Sequence, residues 1–304
     1  MISLVIPIYN EEVLIEKLYA RSISAMRQIT EDFEIICVDD GSRDRSLELL
    51  TTCHRKDPRF KVVILSRNFG HQAAYTAGLN YAKGEYIAMM DGDLQDPPEL
   101  IAQMYTKLVT EELDVVHGKR TDREETFLKR SMIKLFHRVF KNFSGMSEVS
   151  NVGNFSIMNR NALNAFLSLR EKNRYLPGLR FFIGFRQGFL DYKRPDRTDG
   201  EAKMSFIKLL NLALDAIFAF SNLPLKVCLY SGLVGMIIFL VAGIYTVISK
   251  LMGTAIIGWS SILLSIYFLG SVQLLFMGIL GEYLYRIYRE SQDRPVFIVR
   301  GFLG

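Results

Sequence analysis

Short apolar runs recur through the first part of the chain, at residues 2–8, 33–38, 61–65 and 86–90, with a briefer one at 115–116. Between them, at 11–29, 43–55, 72–82 and 98–110, apolar residues return every three or four positions, the spacing of amphipathic helices. Strands alternating in this way with helices predict an α/β domain: a mostly parallel sheet with helices on both faces. A glycine turn at 151–160, NVGNFSIMNR, predicts one more short strand. Each apolar run stops abruptly at polar residues: Tyr9-Asn10-Glu11, Asp39-Asp40-Gly41-Ser42, Ser66-Arg67-Asn68 and the cluster that opens with Asp91. The carboxyl ends of parallel strands lie along one edge of a sheet, so these endings describe a polar ligand pocket.

The pattern changes after Arg120. Residues 127–140, FLKRSMIKLFHRVF, place Leu128, Met132, Leu135, Phe136 and Val139 on one helical face and Lys129, Arg130, Lys134 and Arg138 on the others. Such a basic amphipathic helix suits either an anionic membrane surface or a core with a solvated flank. Residues 205–221 are almost wholly apolar, and 227–249 and 251–281 contain no Asp, Glu, Lys or Arg. About 20 apolar residues cross a bilayer, so two spans are expected, with 205–221 lying along the interface before them. The layout that follows is a catalytic-type α/β domain over 1–200 with an amphipathic helix near 127–141, an interfacial segment at 201–225, a two-helix hairpin at 226–285 and a tail at 286–304.

Charge refines this picture. The net charge of +5 and the pI near 9.0 are modest, and the basic residues gather beside the apolar runs. Lys193, Arg194, Arg197, Lys203, Lys208 and Lys226 precede them, and Arg286, Arg289, Arg294 and Arg300 follow. The positive-inside rule then puts both ends of the chain and the α/β domain on the cytoplasmic face of a plasma or inner membrane. No nucleic-acid-binding motif accompanies the charge, and nucleic acid is not an expected partner. The N-terminus is itself a strand pattern, so no signal peptide is expected. Cys37, Cys53 and Cys228 have neither metal nor disulfide spacing and read as reduced packing residues.

The most informative stretch is 86–96, YIAMMDGDLQD, a buried strand ending in oxygen-bearing side chains. Alternate spacing along an extended segment would put Asp91, Asp93 and Gln95 on one side, where hard oxygen ligands share a divalent cation and leave positions for a diphosphate. The competing reading is a polar turn in which Asp96 caps a helix starting at Pro97-Pro98. There is no G-x-G-x-x-G after the first strand and no G-x-x-x-x-G-K-[ST], so dinucleotide and P-loop chemistry lose their main support. Gly70-His71-Gln72 opens a helix whose N-terminus could receive phosphate. The glycine-containing loop 196–205 is either a connector or a segment that orders over a ligand.

PIYNEE at 7–12, VDDGSRD at 38–44, SRNFGHQAA at 66–74 and MDGDLQDPPE at 90–99 together resemble the family 2 glycosyltransferases. With GEAKMSFIKLLNLALDAIFAFS at 200–221 and two C-terminal spans, the chain is similar over its length to the polyisoprenyl-phosphate glycosyltransferases. That group includes dolichyl-phosphate mannose synthase and the bactoprenol glucosyltransferases, and the two-span tail points to the latter.

The resemblance implies a GT-A-type, Rossmann-like fold and a nucleotide-sugar pocket at Pro7, Tyr9, Glu11, Asp39 and Asp40, with Asp40 at the nucleobase. It implies Mg²⁺ or Mn²⁺ on Asp91, Asp93 and Gln95. It implies a lipid phosphate held by Arg120, Arg130 and Ser131, and a diphosphate-binding Lys203 in a loop where Ala202 replaces the family's serine. Asp91, Asp93, Arg120 and Lys203 are then the residues that carry catalysis. The implied reaction is inverting transfer of a hexose, glucose from UDP-glucose ahead of GDP-mannose or another UDP-sugar, to undecaprenyl phosphate. The resemblance also implies a homo-oligomer, a tetramer. One departure stands out: Asn154 replaces the acidic residue of the family's G-D-F segment. It is the main support for the alternative that the chain is an inactive membrane scaffold. A processive polysaccharide synthase is disfavoured by the absence of a Q-x-x-R-W motif.

Overall fold

The computed structural model describes residues 1–121, 152–172, 174–193 and 258–304, with scattered positions between 230 and 252. The described residues up to Lys193, together with Pro295–Gly304, form one compact unit, and the long helix Trp259–Ser291 belongs to a second.

The first unit is an α/β domain. Its strands are β1 (Ile2–Ile8), β2 (Phe33–Asp39), β3 (Phe60–Leu65), β4 (Tyr86–Met89), β5 (Val115–Arg120), β6 (Val152–Asn159), β7 (Gln187–Tyr192) and β8 (Val299–Leu303). They form one eight-stranded sheet in the order β7-β5-β6-β4-β1-β2-β3-β8. β4, β1, β2 and β3 run parallel side by side, so their carboxyl ends share an edge, as the sequence pattern requires. β6 and β8 run antiparallel to their neighbours.

Helices α1 (Ile15–Arg27), α2 (Ser46–Lys56), α3 (His71–Tyr81) and α4 (Leu100–Thr110) make the crossovers. The first two start several residues later than the hydrophobic period suggests, because the loops before them are tied to each other. Glu11 N–H donates to Ser46 Oγ at 2.9 Å, and Arg43 N–H donates to Asn10 Oδ1 at 2.9 Å. Beyond β6, α5 (Arg160–Ser168) is capped by Asn159, whose side chain accepts from Ala162 N–H at 2.9 Å, and α6 (Leu176–Phe182) has proline in its first turn.

All residues of β1 and β2 are buried, as central strands covered on both faces must be. Ile2, Leu4, Ile6 and Ile8 pack with Phe33, Ile35 and Cys37 in the main core, and burying each such side chain contributes roughly 1.5–3 kcal/mol. Pro7 is tolerated in β1 because its N–H position faces the β4 side beyond the last β1–β4 pair, Val5 with Met89. At the opposite edge Glu34, 2% exposed, accepts from Ser3 Oγ at 2.6 Å, Lys61 Nζ at 2.7 Å and Lys83 N–H at 2.6 Å. Cys37 and Cys53 are free and buried, in keeping with their reading as packing residues.

Residues 299–303, within the tail expected at 286–304, form strand β8, which places Arg300 in the sheet. In the second unit, helix α7 (Trp259–Ser291) runs past the uncharged stretch that ends at 281. Its segment Phe268–Ser291 is the one helix among the described residues long and apolar enough to cross a membrane, and Leu274 and Met277 on it are exposed. The first expected span, residues 227–249, lies largely outside the described residues, as do the amphipathic helix 127–141 and the interfacial segment 201–225.

Candidate active site

The site forms where β1, β2, β3 and β4 end. After β1, Asn10 adopts φ 52°, a left-handed conformation that Asn tolerates, and its N–H donates to Ser42 Oγ at 3.1 Å. Tyr9 is exposed beside it, while Pro7 is buried within β1 and Glu11 is half-buried in the following loop. β2 ends in two buried carboxylates. Asp39 accepts from Ser42 N–H at 3.3 Å; Asp40 accepts from Phe69 N–H at 2.7 Å on one oxygen and from Gly70 N–H at 3.0 Å on the other. Burial pushes both carboxyls upward, opposed by these amide hydrogen bonds. Asp40 therefore shapes the loop that opens α3. Gly41 makes the approach feasible: at φ 68°, a Cβ there would lie 2.6 Å from the carbonyl carbon of Arg67.

The D-G-D-L-Q stretch corrects one expectation. Residues 91–96 are a turn rather than an extended segment: Leu94 has φ 56°, and Asp93 Oδ1 accepts from Gln95 N–H at 3.1 Å. Leu94 holds this uncommon conformation because its side chain is buried in the core, 8% exposed, which offsets a strain of order 1 kcal/mol. Gly92 lets the turn lie against β1, since a Cβ there would fall 2.6 Å from Ile8 Cδ1 and 2.9 Å from Pro7 O.

Asp91 is anchored from α3. Tyr75 donates its phenol to Asp91 Oδ1 at 2.7 Å, and His71 Nε2 lies 3.2 Å from the same oxygen. Burial disfavours the imidazolium, but the hydrogen bond and charge of Asp91, with Asp93 and Asp40 nearby, hold His71 above its usual range. Burial, and then the charge of Asp91, push the Tyr75 phenol far up, so it stays a proton donor. Asn154, at the start of β6, places its amide nitrogen 3.5 Å from His71 Nδ1.

Asp96 does not cap α4, which begins at Leu100 after Glu99 with no side-chain cap. Fully buried, Asp96 accepts from Tyr192 Oη at 2.6 Å, and Arg120 reaches the same oxygen at 3.7 Å. Arg120 Nε also donates to Tyr192 Oη at 3.2 Å, so the expected lipid-phosphate arginine is braced by a carboxylate and a phenol at the end of β5. Its guanidinium crosses Gly153, where a Cβ would come within 2.9 Å of it.

Behind this layer lies Arg180 of α6, with no exposed surface. It donates to Asn154 O at 2.7 Å, and also to Gly153 O and Ser156 Oγ, which fixes the opening of β6 next to His71. Burial draws the Arg180 pKa down to about 10, against the nearby Tyr75, Tyr175 and Asp91, and leaves it charged near neutrality.

The structure thus brings Asp39, Asp40, Asp91 and Asp93 to one sheet edge, with Arg120 braced at the end of β5; Arg130, Ser131 and Lys203 lie outside the described residues. Sequence reasoning missed Tyr75, Arg180 and Tyr192. Tyr75 had a signal, since it lies one helical turn after His71. Arg180 and Tyr192 had none, because they meet the site only through tertiary packing.

Among the described residues no group of three or more His, Cys, Asp or Glu is arranged to hold a metal unaided. Two hard carboxylates at a strand end do fit Mg²⁺ or Mn²⁺, which commonly take one or two carboxylates and complete their shell with water and substrate phosphates.

A sequence model described as glycosyl transferase family 2 matches residues 3–167. An uncharacterized glycosyltransferase of Synechocystis is 39% identical over 305 residues, covering 100% of this chain and 96% of its own. The bactoprenol glucosyl transferase of Shigella phage SfV is 36% identical over 302 residues, covering 98% of each. Among solved structures, glucosyl-3-phosphoglycerate synthase of Mycobacterium tuberculosis, in complex with Mn²⁺, UDP and glucosyl-3-phosphoglycerate, aligns with a TM-score of 0.49 and 16% identity, over 72% of this chain and 77% of that one.

Proposed function

We propose, since the chain belongs to glycosyl transferase family 2, that it moves glucose from UDP-glucose to undecaprenyl phosphate at the cytosolic face of a membrane, with a divalent cation and with inversion. As a family member it is a glycosyltransferase. The observation that carries the finer reading is the meeting of Asp39-Asp40 with Asp91 and Asp93 along one edge, in a chain similar from end to end to relatives named bactoprenol glucosyl transferase.

In this reading Asp91 and Asp93, with Gln95, hold Mg²⁺ or Mn²⁺, which would neutralise the charge that builds on the leaving diphosphate. Tyr75 and His71 orient Asp91. Pro7, Tyr9, Glu11 and the Asp39-Asp40 loop shape the nucleoside end of the pocket. Arg120, with Arg130 and Ser131, steers the acceptor phosphate, and Lys203 closes on the diphosphate. A lipid monophosphate is already anionic near neutral pH and needs orientation more than deprotonation, which makes Asn154 compatible with turnover. The apolar helix α7 and the uncharged stretch before it would keep the domain at the bilayer where that phosphate lies.

The test is transfer by the full chain in lipid, with a panel of radiolabelled sugar nucleotides and undecaprenyl phosphate, with Mn²⁺ or with chelator. UDP-glucose is expected to give a β-linked lipid phosphosugar, and Asp93→Asn to lower metal-dependent turnover by about 10²-fold or more. An α-linked product overturns inversion, and undiminished transfer by Asp93→Asn overturns the metal assignment. Faster transfer from GDP-mannose replaces the donor and leaves the acceptor in place.

A further inference from the structure

β8 follows α7 in the chain and adds to the sheet along β3, with Val62 opposite Leu303, Val63 opposite Phe302 and Ile64 opposite Gly301. The register then shifts, and Leu65 pairs with Val299, which leaves Arg300 as the extra residue of a bulge. Bulges bend a strand and re-aim the side chain they carry. This one is held on its outer side by Ser66 N–H donating to Ile298 O at 2.9 Å. Because β8 is antiparallel, its first residues lie at the carboxyl edge of β3, beside the Ser66-Arg67-Asn68 ending. Ile64, at the bulge, is the β3 partner of Asp39. Arg300 is exposed there.

The strand order acts as a ruler. From β4, which delivers Asp91 and Asp93, the edge runs through β1, β2 and β3 to β8. At about 4.8 Å per strand, β2 lies roughly 10 Å and β8 roughly 19 Å from β4. With the nucleoside at the Asp39-Asp40 loop, as proposed above, a donor whose diphosphate lies at the Asp91 turn extends toward β2, β3 and β8. A guanidinium on that rim can donate to the carbonyl oxygens of a base.

We infer that Arg300, presented by the β8 bulge, is a residue of the nucleotide pocket that contacts the nucleoside end of the donor. The inference rests on the sugar-nucleotide reading above. It is supported by Asp39, whose carboxyl is raised by burial and drawn back down by its Ser42 hydrogen bonds and by the positive charge of Arg300. A control lies off the sheet: Arg55, in the last turn of α2, is exposed where that helix has crossed away from the carboxyl edge.

The experiment is calorimetric binding of UDP, and separately of inorganic diphosphate, to the full chain in lipid nanodiscs with Mn²⁺. Arg300→Ala is expected to weaken UDP binding roughly tenfold, with Arg300→Lys recovering part of it and Arg55→Ala unchanged. Inorganic diphosphate, which lacks a nucleoside, is expected to bind wild type and Arg300→Ala alike. Equal UDP affinity in wild type and Arg300→Ala, both with native melting temperatures, overturns the inference alone. An equal loss for diphosphate overturns it too, by assigning Arg300 to general charge attraction. If the wild type binds neither UDP nor GDP, the sugar-nucleotide reading falls and this inference with it.

Discussion

Tyr75 donates to Asp91 across 2.7 Å, and this bond joins the first turns of α3 to the carboxylate that opens the turn after β4. The phenol belongs to a fully buried ring, while the Asp91 carboxylate it binds keeps 19% of its side-chain surface exposed. A hydrogen bond to a charged acceptor contributes about 1.5–3 kcal/mol.

Tyr75→Phe keeps the ring and removes only that donor. We expect Mn²⁺ affinity to fall about tenfold, as it does when the partner that orients a metal ligand is lost, and the melting temperature to fall by roughly 4–10 °C. Electron paramagnetic resonance titration of Mn²⁺ measures this, and an unchanged dissociation constant removes Tyr75 from the role of orienting Asp91.

Gly92→Ala is expected to displace the D-G-D turn, because the added methyl meets both Ile8 Cδ1 and Pro7 O well inside contact distance. Overpacking of this kind costs roughly 1–3 kcal/mol. Chemical denaturation would show that loss, and transfer activity should fall further than stability alone explains, since Asp91 and Asp93 flank the residue.

Glu34 makes the domain sensitive to acid. Burial raises its carboxyl, but the hydrogen bonds from Lys61, Ser3 and Lys83 outweigh burial and hold it below the usual value of 4.5. A carboxyl depressed by folding contributes stability that is complete above its unfolded value and disappears as pH falls through the folded one. The melting temperature should therefore drop as pH is lowered from about 5 toward 3. Glu34→Gln should flatten that dependence while costing about 3 kcal/mol at neutral pH, since it leaves Lys61 without its buried partner. A Glu34→Gln variant with the pH profile of the wild type would show that other carboxyls govern it.

The alternation of apolar runs and helical periods was enough to read the parallel heart of the sheet, because β1 and β2 are buried throughout, β3 and β4 are mostly buried, and each carries its own signal. That Asp39-Asp40 and Asp91 share one sheet edge was legible for the same reason: they mark strand ends within one local pattern. What local pattern does not encode is pairing between distant segments. Asp96 followed by Pro97-Pro98 has the sequence of a helix cap, but Tyr192 and Arg120 claim its carboxylate from β7 and β5. Alternation suggested an extended D-x-D-x-Q, and the buried side chain of Leu94 instead holds a left-handed turn. Arg300 looked like one more cation after an apolar helix, because a five-residue edge strand carries too little period to be recognised.

The antiparallel pairing of β8 with β3 also sets an order of assembly. Val62 waits for Leu303, and everything encoded between them, α7 included, is synthesised before that pair can form. Until then β3 carries an open edge, the part of a nascent sheet most exposed to wrong partners. Closing so long a loop adds little entropy cost over a moderate one, because that cost grows only with the logarithm of length. The delay therefore falls on timing rather than on final stability, and the rim of the pocket that bears Arg300 is completed only after the apolar helix has been made.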